Sequence, residues 1–309
     1  MRVSAFDIAL LLMVVIWGAN FSVIKYALRE FPQISFNAMR LTLAAAVFLL
    51  AIGGLKAWRR RDSPLLPDVP LTRADWQRVA LLGIIGHFFY QHAFVAGVAR
   101  TSASNAALIF GATPVAIALL SSLAGHERVP AARWAGFALS VLGIYVLVGR
   151  AATLSSTTLA GDVLVFCGML CWSIYSVVAQ PLLQRHSPLV VTGYSMAIGA
   201  ACYFLIAIPT LLSTQWAMIS LISWILMALS SLLALALSYM IWYTAVQRIG
   251  SSRTSIYSNL TPIVAILVAA IWLGEPIGGP QIIGAIAIVG GVFITRLAPA
   301  PAPAASQDS

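Results

Sequence analysis

FGATPVAIALLSSLAGHERV, residues 110–129, returns 148 positions later as SNLTPIVAILVAAIWLGEPI, residues 258–277. Thr113 and Pro114 fall on Thr261 and Pro262, and Glu127 falls on Glu275. The same shift carries Phe94 onto Trp242, Arg100 onto Arg248, and Gly136 and Gly143 onto Gly284 and Gly291. Nearer the start, a shift of 155 sets Asp7 on Asp162, Trp17 on Trp172, Asn20 on Tyr175 and Lys25 on Gln180. One design is therefore written twice, in residues 1–150 and 151–298. The remaining residues 299–309 are rich in Pro and Ala and read as a disordered tail.

Of the 309 residues, 61% are hydrophobic and only 9% are charged, against about 25% charged in soluble domains. The apolar residues come in blocks of roughly twenty, enough for a helix to cross a hydrocarbon core of about 30 Å. The ten-residue alternation of a membrane β-barrel is missing. The sequence predicts an all-α integral membrane protein with ten transmembrane helices near 5–28, 34–54, 75–97, 102–124, 132–149, 162–184, 189–212, 222–246, 252–273 and 279–296. Five helices per half is an odd number, so the second half enters the membrane from the opposite side. That 5+5 inverted-topology repeat places a central cavity between the halves.

The net charge of +9 sits in short loops between apolar blocks, which fits membrane orientation better than nucleic-acid binding. Thirteen of the 18 Lys and Arg residues lie on the side of the N-terminus. The expected location is a bacterial inner membrane, with both termini cytoplasmic. Arg2 precedes an apolar run that is too long for a signal peptide and lacks a cleavage site, so it should stay as the first helix. Cys167, Cys171 and Cys202 fall inside apolar blocks and read as small buried residues.

Several stretches together resemble the ten-helix, EamA-type branch of the drug/metabolite transporter superfamily. They are IWGANFSVIKYAL (16–28), FNAMRLTLAA (36–45), SNAALIFGATPVAIALLSSLAGHERV (104–129), WAGFALSVLGIYVLV (134–148), SNLTPIVAILVAAIWLGEPI (258–277) and QIIGAIAIVGGVFIT (281–295). The resemblance covers roughly residues 5–296. It implies a transporter with a central cavity, often one that exports amino acids or related metabolites.

Helical spacing nominates the residues that face such a cavity. The first helix offers Met13, Trp17, Asn20 or Phe21, and Ile24 on one stripe, and the sixth offers Met169, Trp172 and Tyr175. The third presents His87, Tyr90, Gln91 and Phe94, and the eighth Tyr239 and Trp242. Taken singly, each ring could be simple packing. On equivalent helices of two halves, away from the interfaces where aromatic belts sit, they suit an apolar pocket with a few polar handles. His87 is ionisable near the centre of its span, either functional or a neutral hydrogen-bonded imidazole. Pro114 and Pro262 lie about half-way along the fourth and ninth helices. There they are expected to free the Phe110 and Ser258 carbonyls and to act as gating points. Ser258 belongs to a polar stripe with Ser251 and Ser255.

Lys25 lies near the outer end of the first helix, where it can snorkel. Arg40 is deeper, and its planar donor fork suits a carboxylate. The expected partners are the bilayer and a small-molecule substrate, an amino acid or related metabolite. No cofactor is expected, no phosphate-binding loop is present, and no carboxylate sits at mid-membrane. The favoured function is export of hydrophobic or aromatic amino acids by alternating access. One alternative is an organic-anion or phosphorylated-metabolite transporter that uses Lys25 and Arg40 as a clamp. A second is a membrane enzyme or scaffold that transports nothing.

Overall fold

Helix starts follow the local chemistry at the ends of the apolar runs. Thr72 caps the helix that begins at Arg73 through a capping box with Asp75. Ser102, Ser187 and Ser220 each accept a hydrogen bond from the backbone N–H three residues on. The structure, a computed structural model, describes residues 5–57, 70–125, 134–136, 138–143, 145–146, 156–255 and 257–297. Among them are α1 (Ala5–Ala27) and α2 (Gln33–Ala57). Next come α3 (Arg73–Arg100), α4 (Ala103–Leu123) and α5 (Trp134–Gly143). Then follow α6 (Ser156–Leu183), α7 (Pro188–Ser213), α8 (Leu221–Ile249), α9 (Tyr257–Leu273) and α10 (Gly279–Leu297). No strand occurs among the described residues.

Seven of these helices, α1–α4 and α6–α8, are long and apolar enough to cross a membrane. The fifth, ninth and tenth expected spans correspond to shorter apolar helices, α5, α9 and α10. Part of the fifth expected span, and the tail at 299–309, lie outside the described residues. The outward faces are apolar: Ile8, Leu11, Leu12 and Val15 are exposed on α1, and Ile282, Ile283 and Ile286 on α10. A water-soluble surface does not carry such continuous patches. This is a multi-pass membrane protein with an apolar outer shell. Cys167 shares that shell and is exposed, and Cys171 and Cys202 are only partly covered, contrary to the expectation that all three cysteines are buried.

The helices pack in a restricted set of pairs. α3 lies on α6 and α7, α2 on α7 and α8, α1 on α8 and α9, α4 on α6 and α9. Contacts at the helix ends fix directions. Lys25, at the C-terminal end of α1, and Asp162, near the start of α6, both reach Thr101 at the α3–α4 junction. Asp7, at the start of α1, meets Tyr257, and Gln180, near the end of α6, meets Ser251. α1 and α6 therefore run in opposite directions.

Two of the long helices contain a π-helical turn, Ile84–Phe89 in α3 and Ser230–Leu237 in α8. A π-turn adds one residue to the helix and changes which side chains face which neighbour. At Gly86, inside the first turn, a Cβ would run into the Tyr175 ring of α6, so only glycine allows this approach.

Candidate functional site

The π-turn of α8 docks onto α1 and α2. Trp17 Nε1 donates to the Ala234 carbonyl at 3.0 Å. Ser230 Oγ donates to Asn20 Oδ1 at 2.6 Å and accepts from Arg40 Nη1 at 3.1 Å. Ser231 Oγ donates to the Arg40 carbonyl at 2.7 Å. Arg40 Nη2 reaches Asn37 Oδ1 at 3.2 Å and also donates to Gln91 Oε1. Gln91 in turn donates to the Tyr239 hydroxyl at 2.9 Å. One chain of polar contacts thus joins α1, α2, α3 and α8.

Beside this chain lies a cavity of about 50 Å³. Trp17, Asn20, Arg40, Tyr90 and Gln91 line it, as do Phe94, Trp172, Tyr239 and Ser258. All of these are candidates read from the sequence, most of them from helical spacing, Arg40 from its depth and Ser258 from its polar stripe. Its rings pack on one another: Trp17 meets Trp172 edge-on at 5.6 Å, Trp172 meets Tyr239 at 5.1 Å, and Tyr90 meets Trp172 at 5.4 Å. Such contacts are typical of buried aromatic pairs. A single water needs about 10–15 Å³, so the space admits a few waters and no metabolite. The chamber is too small for a metabolite as it stands, so its walls must part before one can be held.

His87, Tyr175 and Trp242 do not line the cavity, and neither do Met13, Ile24 and Met169 of the same stripes. His87 Nε2 lies 3.2 Å from both the Tyr175 hydroxyl and Ser195 Oγ, and those two hydroxyls are 3.0 Å apart. His87 and Tyr175 thus form a buried cluster with α7, behind the chamber. The π-turn explains the difference: its extra residue rotates His87 off the face that carries Tyr90, Gln91 and Phe94. Trp242 is fully buried and packs against Trp17 and Trp172, at 5.3 and 5.6 Å.

Other residues complete the wall: Phe21, Phe110, Thr113, Ala234, Leu235 and Thr261. Phe21 stood on the first-helix stripe as an alternative to Asn20, and both face inward. Ala234 acts through its carbonyl, which no side-chain pattern reveals.

The prolines sit differently from expectation. α4 is broken after Phe110, and Pro114 falls in the first turn of a fresh helical segment beginning at Thr113. Pro262 likewise opens the segment Thr261–Val268, after a 3-10 turn at Tyr257–Leu260. At that position the missing N–H costs nothing. Nor is the Phe110 carbonyl left free, because Thr113 Oγ1 donates to it at 2.6 Å. The Ser258 hydroxyl turns back to the Ser255 carbonyl at 2.7 Å.

Lys25 neither snorkels nor joins Arg40 in a clamp. Its ammonium donates to the carbonyls of Val98, Ala99 and Thr101 at 3.0, 3.2 and 2.6 Å, which caps the end of α3. Lys25 borders a separate depression with Arg29 and Glu275, while Arg40 lines the central cavity. Nearby, Glu275 caps the start of α4, accepting from the N–H groups of Ala103 and Ser104 at 2.8 and 3.0 Å. Tyr26 and Trp272 stack at 5.4 Å at the same end of the bundle.

Comparison with known proteins bears on what such a chamber does. The EamA-like transporter family matches residues 5–149 and again residues 159–297. A Streptantibioticus cattleyicolor protein named "Probable terminal-alkyne amino-acid exporter" is 30% identical, over 96% of this chain and 95% of its own. "Uncharacterized transporter YyaM" of Bacillus subtilis is 29% identical, over 89% of this chain and 88% of its own. "Probable amino-acid metabolite efflux pump" of Salmonella typhimurium is also 29% identical, over 92% of each chain. One solved crystal structure shares the fold, with a TM-score of 0.67 and 21% identity over 96% of this chain and 98% of its own.

Proposed function

The chain belongs to the EamA-like transporter family, and on that premise we propose that it exports small metabolites, amino acids above all, across a bacterial inner membrane. It works by alternating access between two inverted five-helix halves, residues 1–150 and 151–298, with both termini in the cytoplasm. The observation that carries this reading is the small, ring-lined chamber between the halves. Its wall draws on α1–α4 of the first half and on α6, α8 and α9 of the second.

Support for the inverted pairing comes from the contacts. Exchanging α1 with α6, α2 with α7, α3 with α8 and α4 with α9 turns α3–α6 into α8–α1 and α4–α6 into α9–α1, both of which occur. It turns α3–α7 into α8–α2 and leaves α2–α7 and α4–α9 unchanged. The opposed directions of α1 and α6 agree with this exchange. So do the π-turns, which occupy matching places in the two halves.

The lining residues named above form the substrate site, and the helix breaks at Pro114 and Pro262 are the points where the wall opens. The ring-rich walls favour hydrophobic and aromatic amino acids. The names of the two probable exporters among the relatives support amino acids or their metabolites as the broader class. The engagement of Lys25 at the end of α3 argues against a two-cation anion clamp.

The test is flux in liposomes that hold the purified protein as their sole component, with aromatic, aliphatic and cationic amino acids. Aromatic and aliphatic flux well above cationic flux is expected. Equal flux of all three classes, or none, overturns the reading.

A further inference from the structure

Arg40 is fully buried, yet among the described residues no carboxylate touches it. Its guanidinium donates to three neutral oxygens, those of Ser230, Asn37 and Gln91, and its Nε has no partner. The described carboxylates are engaged at helix ends. Asp7 accepts from Tyr257, Glu30 from Ser220, Asp75 from Arg185, Asp162 from Thr101 and Glu275 from Ser104. An arginine stays charged at any working pH. A charge held away from water without a counter-ion is costly, and a fold keeps one where something supplies the missing partner.

Arg40 borders the chamber, so that partner can arrive as a ligand. A second handle lines the same space: Thr261 Oγ1 is buried and has no partner. The remaining wall is mostly ring faces and alkyl groups. A ligand ammonium would find no carboxylate there. It would meet only neutral oxygens and the faces of Trp17, Trp172 and Tyr239, which attract cations weakly. A cation without a carboxylate would also face Arg40 itself.

We propose that the chamber recognises the carboxylate of an apolar or aromatic monocarboxylic acid, with Arg40 as its anchor. The α-amino group of an amino acid is tolerated and not required. The substrate class is thus set by the acid end and the apolar body. This rests on the transport reading above and narrows it.

Arg40 also ties α2 to α3 and α8, so loss of transport on mutation would not separate anchoring from folding. The test is therefore a preference ratio. Purified full-length protein in liposomes is loaded for counterflow of labelled L-phenylalanine. Unlabelled L-phenylalanine, 3-phenylpropionate, L-phenylalaninamide and phenethylamine compete. We expect 3-phenylpropionate to compete within about threefold of L-phenylalanine, and the amide and amine to be about tenfold weaker or worse, the loss typical of a missing charged hydrogen bond. In Arg40→Gln the preference for the acids collapses, and in Arg40→Lys, which keeps the charge without the fork, it shrinks.

Phenethylamine competing as well as 3-phenylpropionate overturns the anchor and leaves metabolite export standing. So does an Arg40→Gln protein that retains the wild-type ratio. Where L-phenylalanine is not moved at all, export of aromatic amino acids fails, and the anchor is read from thermal stabilisation by the same four compounds. Stabilisation by 3-phenylpropionate and not by phenethylamine upholds it; equal stabilisation, or none, overturns it.

Discussion

Glu30 accepts hydrogen bonds from the backbone N–H and the hydroxyl of Ser220, at 2.8 and 2.7 Å, and so occupies on α8 the place that Arg185 holds on α3. The repeat sets Glu30 on Arg185, and Thr72 and Asp75 on Ser220 and Ser223. In one half the helix start supplies its own acid, Asp75, which pairs with Arg185 and lies within hydrogen-bond distance of His186. In the other the acid comes from the loop after α1. The contact is kept, but the acid moves from the helix start to the facing loop and the cation is lost.

A pH dependence follows from Glu30. Its bonds from Ser220 lower its pKa below the usual carboxylate value. A carboxyl depressed in the folded state stabilises above its unfolded pKa of about 4.3, and that contribution is lost as pH falls through the lower folded value. Glu30→Gln should therefore lower the thermal midpoint at pH 7, and the gap to wild type should narrow on acidification below about pH 4. A gap that is absent at pH 7, or that widens in acid, would contradict this.

Gly86 gives the second prediction. A side chain there meets the Tyr175 ring and would push it from His87 and Ser195. Gly86→Ala should cost about 1–3 kcal/mol, as overpacking of a tight core does. Denaturation of the purified protein reads the cost. Gly53, where a Cβ meets nothing within 4 Å, is the control, and Gly53→Ala should not destabilise.

Much of this architecture is legible in the chain. The repeat and the apolar blocks give the helices and their order, and spacing finds Trp17, Tyr90, Trp172 and Tyr239 on the inner face. What spacing misses has a physical cause. A period of 3.6 assumes an unbroken helix, and the π-turn at Ile84–Phe89 breaks that assumption just where His87 was assigned. A backbone carbonyl such as that of Ala234 leaves no trace in side-chain pattern. Lys25 was read as a free cation because its carbonyl partners lie more than 70 residues away in the chain. The prolines were placed correctly in sequence. Local breaks before Thr113 and Thr261 turned them from mid-helix kinks into first-turn residues.

Under the proposed alternating access, the stacked pair Tyr26 and Trp272 is expected to separate when that end of the bundle opens. A protein with Cys167, Cys171 and Cys202 replaced by serine, and carrying Tyr26→Cys and Trp272→Cys, can be bridged with a short bifunctional thiol reagent. Bridging should abolish counterflow, while either single cysteine variant treated alike should retain it. Undiminished flux in the bridged protein would mean that this end does not open in the transport cycle.

Lys25 and Arg40 supply the sharpest contrast, because both are cations in the first two helices and the structure gives them different work. Lys25 is half-buried and spends its three donors on the last carbonyls of α3. Lys25→Met leaves those carbonyls without a partner. It should destabilise the protein by about 1–2 kcal/mol, less than a fully buried charged bond because water can reach part of the site. The preference for 3-phenylpropionate over phenethylamine should not change, since Lys25 does not border the chamber. Thermal midpoint and competition ratio, measured together, separate the two roles. A Lys25→Met protein of normal stability with a lost acid preference would return Lys25 to the substrate path and undo its assignment as a helix cap.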